Sequence, residues 1–154
     1  MAAMTFRLAA LHRYREHLRD VLRQQLADLL SRDAALTRQR DDCLERRAEM
    51  LRQMRDLQQR PTLEIDAAAL RRYHASQLTA EARRLEVERQ QLAGLIAACR
   101  QRLILADQGV KVLEKLADRQ REEIERSREH KETREREEAW QAGQFASLPR
   151  PETH

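Results

Sequence analysis

Glycine and proline are scarce in this chain, with three of each among 154 residues. That scarcity takes away the usual helix breakers and lets helices run long. Aromatic residues make up only 3%, too little ring bulk for a thick globular core. Cys43 and Cys99 are the only cysteines, with neither the paired spacing of a metal site nor a secreted disulfide framework. Each sits at an apolar repeat position, as a small hydrophobe would. No apolar run approaches the ~18 residues of a membrane span, and residues 1–10 lack the sustained apolar stretch of a signal peptide. A cytoplasmic, soluble chain without membrane insertion is expected. Charge of one sign is missing too. The 30 basic and 26 acidic residues are interleaved and leave a formal charge of +4, so nucleic acid is not an expected partner.

What the chain does have is periodicity. Leu78, Leu85, Leu92, Cys99, Ala106 and Leu113 recur every seven residues. Four positions behind run Ala82, Ile96, Leu103, Val110, Ala117 and Ile124, with Arg89 and Gln120 the two polar interruptions of the joint register. Such a repeat places both series on one narrow helical stripe, which is stable only against another helix. The first third of the chain repeats the pattern with Leu22, Leu29, Leu36, Cys43, Met50 and Leu57. Its second row is poorer. Leu26 and Met54 fit it, Asp33, Arg40 and Arg47 do not, and Leu30, Leu44 and Leu51 fill the neighbouring row.

These registers predict a first long helix over 1–60, capped near Thr5. Pro61 ends it by lacking a donor and disfavouring helical geometry in the residue before it. A turn follows over 61–66, where Asp66 can cap the next helix ahead of an alanine run. The second helix is predicted over 67–142, and residues 143–154 form a flexible tail. Gly94 and Gly109 interrupt its stripe in composition only, as signs of close packing or mild flexibility.

Two helices joined by a short turn lie antiparallel. The expected fold class is therefore all-α, an antiparallel two-helix coiled-coil hairpin with a longer C-terminal helix. At 1.5 Å per residue the arms measure roughly 80 Å and 115 Å, which leaves the end of the second without a partner. The sequence agrees: the stripe stops at Ile124, and residues 125–138 contain nothing apolar. Only i, i+4 charge pairs such as Arg128 with Glu132 support that stretch, at ~0.2–0.5 kcal/mol each.

Several segments resemble the flagellar FliJ family. They are Phe6-Arg7-Leu8 followed by Leu11, Arg13 and Arg15; then Ile65-Asp66 with Leu70, Arg71, Arg72 and Tyr73; and most closely the run from Val110 through Lys111, Val112, Leu113, Glu114 and Lys115 to Leu116, with the Glu/Arg-rich helix after it. The likeness covers about 5–142. This chain departs from the family's acidic-aliphatic close, carrying Ala139, Trp140 and Gly143 there instead. The resemblance implies a cytoplasmic stalk of the flagellar type III protein export apparatus, serving motility and lying peripheral to the basal body at the inner membrane. Its implied partners are the export ATPase hexamer, the cytoplasmic domain of the export gate, and export chaperones. Virulence type III secretion stalks are similar in size and shape, so flagellar and injectisome systems both stay open.

The resemblance also implies that the terminal ends of the two helices enter the ATPase ring. The residues that would face it are Arg13, Tyr14, Lys111, Lys115 and Arg119; a solvated charged face is the alternative. Near the turn, Leu70, Tyr73, His74 and Gln77 follow helical spacing and suit a partner groove such as the export gate, unless Leu70 and Tyr73 cap the hairpin core. Trp140 and Phe145 offer a terminal docking point, or sit on a disordered end. No catalytic, metal or cofactor site and no small-molecule ligand is expected. The five histidines are scattered, and His12 and His17 miss the i, i+4 spacing of a helical zinc pair. A structural scaffold that dimerises in parallel, with Pro61 as a kink, and a secretion chaperone are the rival readings.

Overall fold

The computed structural model describes residues 2–62 and 64–149, with side chains from Arg7 onward. Leu63 of the expected turn, residues 150–154 of the expected tail and the Phe6 side chain lie outside them. The fold is all-α. Helix α1 spans Ala2–Gln58 and the longer α2 spans Ile65–Ala146, with no strand among the described residues. No helix is long and apolar enough to cross a membrane among the described residues.

The chain divides into two compact units, one covering Arg15–Asp107 and the other joining the residues up to Tyr14 with those from Gln108 onward. In the Arg15–Asp107 unit, α1 and α2 pack antiparallel around the turn. Arg71 donates to the Gln53 side chain at 3.0 Å, Arg40 to Glu86 at 2.7 Å and Arg89 to Asp33 at 3.1 Å, while the Cys99 thiol lies 3.6 Å from the Leu22 carbonyl oxygen. As the number on one helix rises its partner's falls, which is the signature of opposed chains. The heptad residues supply the core: Leu22, Met54 and Leu57 from α1 meet Ala75, Ala82, Leu85, Leu92, Ile96 and Cys99 from α2, all buried.

The turn follows from proline chemistry. Helix α1 stops three residues before Pro61, and its last carbonyls accept from Gln59 N–H and Arg60 N–H at 3.2 and 3.4 Å. Ala68 N–H donates to the Glu64 carbonyl at 3.1 Å, and α2 begins at Ile65, two residues ahead of the alanine run. Asp66 therefore lies in the first turn of α2, near the positive end of the helix dipole. Thr5 likewise lies within α1, whose first residue is Ala2.

In the second unit, Val110 and Leu113 of α2 are buried, and His12 Nε2 of α1 stands 3.8 Å from a Glu114 carboxylate oxygen. From Arg121 to Pro149 every described residue is exposed. Ion pairs Arg128–Glu132 (3.4 Å) and Arg134–Glu138 (3.7 Å) line this stretch. Helix α2 ends at Ala146 instead of fading at 142. Ser147 closes it by donating to the Gln144 carbonyl from both its backbone N–H and its hydroxyl. Gly94 approaches nothing: a Cβ built there meets no atom within 4 Å, so close packing is not its reason for being there.

Candidate functional site

One polar interruption from each seam, Asp33 of α1 and Arg89 of α2, finds the other. Arg89 of α2 donates through Nε to Asp33 of α1 and through a terminal nitrogen to Glu86 at 3.3 Å. Arg40 of α1 donates to the same Glu86 oxygen and, on its other side, to Asp41 at 3.0 Å. Five residues thus form one chain of charge-assisted hydrogen bonds across the helix pair. The electrostatics follow. The Arg40 hydrogen bond holds the Glu86 carboxyl below its ordinary range against the opposing cost of desolvation, with Arg89 adding to the effect. Arg40 and Arg89 are correspondingly held more firmly protonated, chiefly by Glu86 and Asp33 respectively.

This network settles which row of α1 faces α2. The row carrying Asp33, Arg40 and Arg47 turns inward and is half-buried, whereas Leu30 and Leu44 remain 40% and 41% exposed. Polar side chains take the seam and leucines are left at its edge. Sequence reasoning missed the pairing, although a signal existed. Both helices break their apolar rows at positions that an antiparallel hairpin brings level, with opposite charges on the two sides.

The candidate partner residues are all presented to solvent. Arg13 and Tyr14 are exposed, and as successive residues they diverge by about 100° around the α1 axis. Lys111, Lys115 and Arg119 are exposed and descend one side of α2 at steps of four. Near the turn, Leu70 and Tyr73 do not cap the hairpin core: they are 55% and 59% exposed. Tyr73 stands edge-on to the His74 ring with centroids 6.0 Å apart. His74 and Gln77 line a shallow groove completed by Arg46, Glu49 and Met50 of α1, so these two of the four are brought together with α1 residues. Trp140 and Phe145 are helical and largely exposed. Five residues apart, they point about 140° from each other and do not form a single docking face.

A second groove lies between the start of α1 and α2, lined by Leu8, His12, Leu113, Ala117, Gln120 and Ile124. Gln120, the second polar interruption, lies in this groove. Both grooves are shallow furrows along paired helices, shaped to receive a side chain or another helix. No family model matches the chain, and no curated protein or solved structure matches it significantly.

Proposed function

We propose that this protein is a non-enzymatic helical stalk of a type III protein export apparatus, flagellar in the first instance. In this reading it associates with the export ATPase hexamer and the cytoplasmic domain of the export gate, and assists chaperone and substrate delivery. The observation that carries the reading is the long exposed end of α2. Residues 121–149 hold their helix to Ala146 with no buried side chain among them. A helix of this kind gains only ~0.2–0.5 kcal/mol from each charge pair, and so gains most from an external partner that covers it. The resemblance of residues 65–73 and 110–116 to the FliJ family points to the ATPase ring as that partner. Lys111, Lys115 and Arg119 lie in or just beyond the second of those segments, on the solvent side of α2. An asymmetric helical pair inside a ring of like subunits favours one subunit state over the others, which is what coupling to a hydrolysis cycle demands. No catalytic group is needed on the stalk.

The parallel-scaffold alternative loses its seam, since Leu22, Met54 and Leu57 are already buried within the hairpin. The deciding experiment adds the purified protein to the purified export ATPase and follows hexamer formation and ATP turnover. Stimulation that is weakened by the joint change Lys111→Glu and Lys115→Glu supports the proposal. Unchanged assembly and turnover on adding the unmodified protein defeats it.

A further inference from the structure

The apolar residues of the Arg15–Asp107 unit do not define their own alignment. Leu78, Leu85, Leu92 and Cys99 recur every seven residues on α2, and so do Leu22, Leu29, Leu36 and Cys43 on α1. Sliding one helix past the other by seven residues, about 10 Å at 1.5 Å per residue, lays the same stripes together again. Leu22, now beside Cys99, would simply meet Leu92 in one such slip. Apolar burial is non-directional, so by itself it leaves these alignments close in energy.

We propose that two devices lock the hairpin in one register: the charges on the seam forbid a slip in one direction, and Pro61 forbids it in the other. The pairs Asp33–Arg89 at 3.1 Å and Arg40–Glu86 at 2.7 Å define the native alignment. In the first slip each α1 residue faces an α2 residue numbered seven lower. Glu86 then comes level with Asp33, a like-charge contact, while Arg89 comes level with Leu26 and Arg40 with Thr79. Arg47, half-buried in the same row, comes level with Arg72. Asp33, Arg40, Glu86 and Arg89 all lose their cross-helix partners. Their side chains are only 24–40% exposed, so water makes good just part of that loss. The turn raises no objection to this slip. Its reversal point moves back toward α1 and α2 opens near Pro61, and proline is accepted in the first turn of a helix.

The opposite slip exchanges the roles. Glu86 trades Arg40 for Arg47 and keeps a cationic partner, although Arg89 comes level with Arg40. The reversal point now moves forward, and α1, which ends at Gln58, would have to run on through Pro61. There the ring lacks a donor, clashes with the carbonyl four residues back, and drives Arg60 out of helical geometry. Fixing the alignment of paired helices is the best-attested use of polar groups within a seam.

The experiment reads the register by pulsed dipolar spectroscopy on the full chain. Spin labels sit at exposed Gln39 of α1 and Gln101 of α2, attached through unnatural residues so that Cys43 and Cys99 stay as they are. Gln101 lies just beyond the Cys99–Leu22 contact, so the first slip lengthens the distance by about 10 Å and the opposite slip shortens it as much. The unmodified protein should give one distance. Changing Asp33, Arg40, Arg47, Glu86 and Arg89 together to leucine should add a second, longer population. The triple change Leu26→Asp, Asp33→Arg and Arg40→Leu carries the α1 charges back by one heptad and should make the longer distance the main one. Asp33→Leu with Arg40→Asp carries them forward, since Arg47 is already in place. Here a shorter distance should appear only once Pro61→Ala is added. The proposal is overturned by more than one distance in the unmodified protein, or by a single unshifted distance in the all-leucine or the triple variant. Shortening with Pro61 in place, or none after Pro61→Ala, overturns the part assigned to the proline.

Discussion

Val110 and Val112 provide an internally controlled test of the seam. They are the same residue type two positions apart on one helix, yet Val110 is 1% exposed and Val112 61%. Changing Val110 to alanine withdraws two buried carbons, worth ~1.6 kcal/mol of transfer free energy at about 0.8 per methylene, with a further cost for any cavity left behind. Alanine's better helix propensity returns ~0.5 kcal/mol. The net loss should therefore be about 1 kcal/mol or somewhat more. Val112→Ala forfeits only ~0.6 kcal/mol of burial and regains the same propensity term, so its effect should lie close to zero.

A two-helix seam opens locally, so amide hydrogen exchange over 106–114 is the suitable readout. A loss of ~1 kcal/mol appears as roughly fivefold faster exchange in that segment for Val110→Ala, with little change for Val112→Ala. If the two variants exchange alike, or Val112→Ala proves the more damaging, α2 presents a different face to α1 than the heptad register requires.

Gly94→Ala should stabilise the protein by about 0.5–1 kcal/mol in urea denaturation, since the glycine is helical and exposed and an added methyl meets nothing. Glu86 supplies a pH dependence. Its folded-state pKa lies below the unfolded value, so its contribution is present above the ordinary glutamate range and is lost as pH falls through the lowered value. Thermal midpoints should drop across that acidic window less steeply for Glu86→Gln than for the unmodified protein. Thiol labelling should modify half-buried Cys43 well before Cys99, which is buried beside the Leu22 carbonyl; equal rates would contradict the packing of the Arg15–Asp107 unit.

The hairpin was legible because its determinants are local and repetitive. Seven-residue spacing defined the inner row of each helix, and Pro61 with the polar residues around it marked the reversal. The boundaries were less so. Thr5 has the chemistry of a cap but lies inside α1, and α2 begins at Ile65, ahead of the alanines. The facing of α1 was harder still. Two rows competed there, one broken by Asp33, Arg40 and Arg47 and the other holding Leu30, Leu44 and Leu51, and periodicity alone ranks the leucines first. The choice depends on opposite charges more than forty residues away in sequence, at Glu86 and Arg89, which a reading of one helix at a time does not weigh. The candidate partner residues were legible as exposed positions and no further. Solvent exposure looks the same along a heptad whether or not another protein uses it.

The thinness of the core has a consequence for how the molecule tolerates damage. Val110 is the most deeply buried core residue among the described residues, at 1% exposed; the other core residues rest against one opposing helix and keep a little more solvent contact. Within each unit cohesion is then spread along the helix pair, much as in repeat proteins whose units lean only on their neighbours. A bad substitution loosens a turn or two around itself while distant stretches stay zipped. Sequence drift along such a line is cheap, because each substitution is felt only by the turns next to it.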